Sequence, residues 1–178
     1  MSTQLEIERK FLVKFPKSWS GLSELFEDLI DVKRISQTYL KPEGDEPSAR
    51  IRKTVEGLTG DTETVYHYNK KKTLESAVHK EEEYEITKKQ YESNLKKCHP
   101  DKTEVEKTRF VFEYNDQTFE LDVFKGALKG LAILEIELKD KDQTIELPPF
   151  LKVIKEVTKD KRFNNFELAS THNYTSYV

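Results

Sequence analysis

Cysteine, methionine and tryptophan each occur once in the 178 residues. With Cys98 alone, the chain can form neither an intramolecular disulfide nor a thiolate metal cluster. Six glycines and six prolines, unclustered, mark no linker, and there is no fixed-period repeat or low-complexity tract. Nowhere do about 18 apolar residues follow one another, as a membrane-crossing helix requires. Residues 1–11 carry acidic side chains where a signal peptide needs an unbroken apolar stretch. An excess of one charge is missing as well: 30 Lys and Arg against 33 Asp and Glu leave a net charge of -3. That balance supplies no global basic field to recruit nucleic acid or an anionic membrane. The expectation is a single domain over residues 1–178, cytoplasmic, with neither nucleic acid nor membrane as partner.

What the chain does have is charge and aromatic rings. Charged residues make up 35% of it, as do hydrophobic ones, and 8 Tyr with 10 Phe supply enough apolar area for a packed core. Period-two alternation predicts eight strands, at residues 5–13, 35–40, 49–55, 64–71, 78–86, 104–114, 118–124 and 132–139. Helical spacing is confined to Leu22, Leu25, Phe26, Leu29 and Ile30 behind Ser18 or Ser20, to a polar stretch from Thr87 to Cys98, and to residues 150–157 behind Pro148 and Pro149. Turn chemistry at 42–45, 57–61 and Asn115-Asp116 separates strands. The fold class is mainly β with added helices.

The informative feature is which residues alternate. Side chains repeat every second residue along a strand, so Glu6, Glu8 and Lys10 share one face. Arg50 with Arg52, and Lys107 with Arg109, do the same. Glu120 with Asp122, and Glu135 with Glu137, alternate with Leu and Ile on the opposite face. One such strand needs no function, since an antiparallel sheet with a wet face produces the same alternation. Five strands repeating charged-x-charged are different, because solvent faces normally mix in Thr, Ser and Gln. The alternative is a closed barrel with charges inside and Ile7, Ile51, Leu121, Leu134 and Ile136 outside, under helices or against a partner such as a second copy in a homodimer. Crowded carboxylates ask for divalent cations and rows of Arg and Lys for a polyanion, demands that a metal-bound phosphate chain meets together.

The run Glu6-Ile7-Glu8-Arg9-Lys10 resembles the ExExK signature of the CYTH superfamily, the triphosphate tunnel metalloenzymes. Arg50 and Arg52 resemble the family's RxR strand, Glu81 and Glu83 its central ExE, Lys107 and Arg109 its KxR, Asp122 its single Asp, and Glu135 and Glu137 its last ExE. Residues 156–165 are similar to its EVT segment and the basic, aromatic stretch after it. The family's lysine on the fourth strand falls among Lys70, Lys71 and Lys72, with Lys71 favoured. Several registers between Glu81 and Glu85 hold paired carboxylates, and a helix starting at Thr87 favours Glu81 with Glu83. His79 stands where relatives often have Arg and offers either a titratable phosphate contact or, the favoured reading, a surface residue, while Cys98 reads as a small buried or half-buried one.

The resemblance implies an eight-stranded antiparallel tunnel and metal-dependent hydrolysis of a triphosphate-containing small molecule, with inorganic tripolyphosphate favoured. Glu6, Glu8, Glu135 and Glu137 would hold Mg²⁺ or Mn²⁺. Lys10, Arg50, Arg52, Lys71, Lys107, Arg109 and Lys161 would bind the phosphates. Glu81, Glu83 and Asp122 would serve the attacking water. A class IV-type adenylyl cyclase making cyclic AMP and a non-catalytic binder of polyphosphate or nucleotide are the alternatives.

Overall fold

The computed structural model describes residues 2–14, 22–57, 62–75 and 77–170, the side chains of 2–5 excepted. Ser18, Ser20, His172 and most of the turn expected at 57–61 lie outside these residues. Nine strands form one sheet: β1 (Ser2–Val13), β2 (Leu29–Tyr39), β3 (Arg50–Glu56), β4 (Glu63–Glu75), β5 (Val78–Glu85), β6 (Val105–Tyr114), β7 (Gln117–Phe124), β8 (Ala132–Glu137) and β9 (Val153–Glu156). The order is β5-β4-β3-β2-β6-β7-β8-β1-β9, and an additional β5–β1 pairing closes eight of them into an antiparallel barrel. Hairpin chemistry sets the local registers. Between β6 and β7, Asn115 and Asp116 both take positive φ (48° and 55°), the two-residue turn whose twist matches the flanking strands.

Closure depends on β1 serving two partners along one edge. Ser2–Ile7 pairs with β5, and farther on Phe11–Val13 pairs with β9, while Glu8–Leu12 uses the other edge against β8. The helix expected at 150–157 is therefore a correction: Pro148–Leu151 makes a turn and Val153–Glu156 a strand. β-branched Val153 and Ile154 favour that outcome, and the stretch of β1 that β5 leaves open supplies the partner. The first helix is also shorter than its apolar spacing suggests. α1 (Ser23–Glu27) stops before Leu29 and Ile30, which open β2 and pair it with β6. The polar helix α2 (Lys88–Leu95) starts as expected, with Thr87 and Gln90 forming a capping box.

Three apolar clusters surround the barrel lumen. On one outer side Phe110, Phe112, Phe119, Leu121, Leu134 and Ile136 lie under Leu25 of α1 and Leu151, with Ile7 against them. On another, Ile51 and Ile86 pack against Tyr91 of α2. The third is inside. Leu12, Tyr39, Val105, Phe124 and Ile133 fill one end of the lumen, sealed by Phe163, Leu168 and Ala169 from the segment that ends in α3 (Asn165–Leu168). Lys102 holds that segment, its Nζ donating to the Phe166 carbonyl at 2.9 Å and lying 3.6 Å from the Phe166 ring centre.

Candidate active site

Residues opposite one another on neighbouring strands share a face, so the pairings trace a ring through the lumen. Glu8 faces Glu137 and Lys10 faces Glu135, Glu135 faces Glu120, and Asp122 faces Arg109. On the other side Arg52 lies between Gln37 and His67, Arg50 beside Asn69, Asn69 beside Glu83, and Lys71 beside Glu81. The ring encloses a cavity of about 300 Å³. Six cations line it, namely Lys10, Arg50, Arg52, Lys71, Lys107 and Arg109, with seven glutamates: Glu6, Glu8, Glu81, Glu83, Glu120, Glu135 and Glu137. Among the described residues no aromatic ring lines it.

The register resolves the two ambiguities on β4 and β5. Lys71 points into the cavity, its Nζ donating to Glu6 Oε2 at 3.0 Å and Glu8 Oε1 at 3.2 Å, whereas Lys70 turns outward to Glu46. Glu81 accepts from Arg50 at 2.9 Å and Glu83 from Arg52 at 2.9 Å. The buried amide of Asn69 donates to both carboxylates. Two of the expected residues stand off the cavity. Asp122, with no exposed surface, sits behind Lys107 and Arg109 and accepts from both. Lys161 is exposed on the turn leading to α3 and does not line the cavity; Asn165, a little farther along, does.

The charges set one another's proton affinity. Burial alone would raise Asp122, but Arg109 and Lys107 outweigh it and hold the carboxyl well below the usual range. Glu8 is also held low against its own burial, by Lys10, His79 and Lys71. Glu6 goes the other way. Burial and a hydrogen bond with Glu81 push it up to about 7, while Glu81, whose burial is outweighed by that same bond and by Arg50 and Lys71, falls to about 2. Glu137 is raised by burial and by the charge of Glu8 directly opposite. The lumen thus has a cation-matched side around Asp122 and a carboxylate-rich side around Glu6, Glu8 and Glu137.

Hard oxygen donors with raised proton affinity suit a small divalent cation. Among the described residues no three His, Cys, Asp or Glu side chains converge on one point. Buried donors are also left for an anion: Nε of Arg50 and of Arg52 has no partner among the described residues.

Sequence reasoning passed over several wall residues. Gln37, 2% exposed, is neutral and so invisible to a search for charge alternation; its in-step spacing with Tyr39 was the available signal. His79 is not a surface residue. It turns inward with Nε2 3.2 Å from Glu8 Oε1. Cys98, expected buried or half-buried, is exposed.

The CYTH domain family matches residues 4–163. The curated inorganic triphosphatase of Acetivibrio thermocellus is 38% identical over 68 residues, covering 38% of this chain and 42% of the relative. That of Nitrosomonas europaea is 46% identical over 68 residues, covering 36% of this chain and 44% of the relative. These matches span less than half the length of either curated relative. The crystal structure of the inorganic triphosphatase NE1496 aligns with a TM-score of 0.59 at 32% identity, over 94% of this chain and 96% of that one. A family match over residues 4–163, together with a closed barrel whose signature residues face one cavity, places the chain in the CYTH domain family.

Proposed function

We propose that the protein hydrolyses a triphosphate, inorganic tripolyphosphate before nucleoside or thiamine triphosphate, in a reaction dependent on Mg²⁺ or Mn²⁺. The observation that carries this reading is the 300 Å³ cavity with six cations on its wall and, among the described residues, no aromatic ring lining it. The two curated inorganic triphosphatases that match part of the chain support it. One or two of Glu6, Glu8, Glu135 and Glu137 would hold the metal, which when bound would neutralise phosphate charge and acidify a water.

The protein's own groups do the rest. Lys10, Arg50, Arg52, Lys71, Lys107 and Arg109 align the phosphates and stabilise the charge of the group being transferred. Water attacks the terminal phosphorus; a new P–O bond forms, the bridging P–O bond breaks, and its electron pair leaves with pyrophosphate. Glu81 and Glu83 orient the water. Glu83, the more exposed of the two carboxylates, takes its proton and passes it to solvent. Asp122 acts through Lys107 and Arg109 as a positioning residue, and Lys161 takes no part. The reading extends to one domain over residues 1–178 working in the cytoplasm, and a homodimer is compatible with it.

The test is to incubate the protein with tripolyphosphate, ATP and thiamine triphosphate, each with Mg²⁺ or Mn²⁺, and to identify the products. Orthophosphate and pyrophosphate from tripolyphosphate, abolished by EDTA, is the expected result. Cyclic AMP from ATP with tripolyphosphate untouched would make the protein a cyclase. Tight binding without turnover would leave a binding module.

A further inference from the structure

Beside the main cavity lies a second one of about 150 Å³, which shares Glu8, Lys10, Arg50 and Lys71 with it. Its remaining wall comes from two places that approach each other at the sealed end of the barrel. One is the β4–β5 hairpin, with Thr73 and His79; the other is the sealing segment, with Asn164, Asn165 and Phe166, opposite Tyr39. β1 and β4 run toward the apolar end and β5 runs away from it, so Thr73 and His79 stand at that end of their strands. The apolar seal is therefore incomplete on the hairpin side, and a polar window opens onto three cations of the phosphate wall.

The lining favours a small tetrahedral anion. Lys10, Arg50 and Lys71 bring positive charge against the one carboxylate of Glu8, and the Tyr39 hydroxyl and the Asn165 amide are able to donate, while Thr73 Oγ1 meets His79 Nδ1 at 3.2 Å and His79 Nε2 lies 3.2 Å from Glu8 Oε1. The Asn165 amide makes no hydrogen bond to any described residue and lines both cavities. Nε of Arg50 is buried without a partner. The one apolar ring, Phe166, offers little to an organic group: Lys102 lies against it, and Tyr39 (5.1 Å) and His99 (6.0 Å) meet it edge to face. Three cations against one carboxylate, with the Asn165 amide and the Tyr39 hydroxyl beside them, give a small volume of net positive charge that matches orthophosphate.

We propose that this window is an orthophosphate site, where the phosphoryl group released from the terminal end of the chain sits while pyrophosphate still occupies the main cavity. The inference rests on the hydrolysis reading for its biological sense, but the site binds phosphate whether or not the protein turns over. Hydrolysis leaves two anions in a narrow lumen whose far end is sealed. A separate seat reached through the hairpin side lets one leave without passing the other.

Calorimetric titration of orthophosphate, with Mg²⁺ present, into the free protein and into protein saturated with pyrophosphate tests this. Orthophosphate is expected to bind both forms, about tenfold more weakly once pyrophosphate is in place, because the two anions occupy different seats but share Lys10, Arg50 and Lys71. Thr73→Asp, on the exposed hairpin and away from the main cavity, should weaken orthophosphate about tenfold by placing a carboxylate in the window. It should leave pyrophosphate affinity and the KM for tripolyphosphate within about twofold. Asn165→Ala, which removes one neutral donor at an unstrained helix start, should weaken orthophosphate roughly threefold. Mutually exclusive binding of the two anions, or an unchanged orthophosphate affinity in Thr73→Asp, would overturn the proposal. Failure of tripolyphosphate hydrolysis with these binding results intact would sink the hydrolysis reading alone.

Discussion

The two ends of the barrel interior are built from the same strand faces, yet one is a charged cavity and the other a hydrophobic core. Along β1 the inward positions run Glu6, Glu8, Lys10 and then Leu12; along β7 they run Glu120, Asp122 and then Phe124. On β6 and β8 the change comes at the other end of the strand, from Val105 to Lys107 and from Ile133 to Glu135. On these four strands the switch comes at the same end of the barrel because neighbours run antiparallel. Period-two alternation reports which face a residue takes, whereas its depth along the barrel axis appears only when the registers are combined. The apolar end gives the charged end a floor of packed apolar side chains, and in the low dielectric beside it each unmatched charge is expensive.

The sharpest way to break the comparison is to unmatch a charge at the border. Asp122 accepts from Lys107 and Arg109 with no exposed surface, so Asp122→Ala leaves two buried cations uncompensated. A loss of about 3–5 kcal/mol is expected in urea unfolding, with phosphate binding lost as Lys107 and Arg109 swing free. Loss of less than about 1 kcal/mol would mean that the triad is hydrated. On the apolar side Phe163→Ala empties the floor, since Phe163 is 2% exposed among Leu12, Phe124 and Leu168. It should cost about 3 kcal/mol through cavity formation. Catalysis should survive at temperatures where the variant stays folded, because no wall charge is touched.

The carboxylate-rich side makes a pH prediction. Glu6 has a folded pKa of about 7 against an ordinary 4.5, so the folded state binds the extra proton between those values. Its contribution to stability is fully present below pH 4.5 and lost as pH rises through 7. Glu6→Gln in the metal-free protein should therefore flatten the fall in stability over that window, by on the order of 2 kcal/mol after discount for partial exposure. A wild-type curve that rises from pH 5 to 7 by the same amount would reverse the assignment. Glu137 is raised by burial and by Glu8, so Glu137→Gln should gain up to about 1 kcal/mol without metal while activity collapses at low Mn²⁺ and partly returns at high Mn²⁺.

Much of this arrangement was legible before any coordinates. Eight strands, the barrel and the inward direction of Arg50, Arg52, Lys107, Arg109, Glu135 and Glu137 follow from charge alternation over five strands, because apolar residues occupy the other face each time. What could not be read was tertiary. Leu29 and Ile30 have helical spacing behind Leu25, and only the open edge of β6 draws them into a strand. The same competition turned residues 153–156 into β9. Asp122 reads like any other inward carboxylate, and its withdrawal behind two cations depends on side-chain reach rather than register. Asn165 reaches the cavity through a turn and short helix whose path no periodicity describes.

The smallest effect belongs outside the barrel, and it tests whether the ninth strand contributes through its backbone or its charges. Arg9 on the outer face of β1 meets Glu156 of β9 in a two-pronged pair, Nε to Oε1 at 2.9 Å and Nη2 to Oε2 at 2.8 Å. Arg9 keeps the Glu156 carboxyl below its usual range, but both side chains are about a third or more exposed (32% and 42%), where solvent screens the attraction. Glu156→Gln should therefore cost no more than about 0.5 kcal/mol, less still at high salt, with turnover unchanged. Because the folded pKa is depressed, the small stabilisation is present above the ordinary carboxylate range and lost on acidification. The strand itself rests on backbone bonds to Phe11, Leu12 and Val13 that the substitution leaves in place. A cost of 2 kcal/mol or more, measured by urea unfolding at neutral pH, would show that this pair rather than the ladder holds β9 on the barrel.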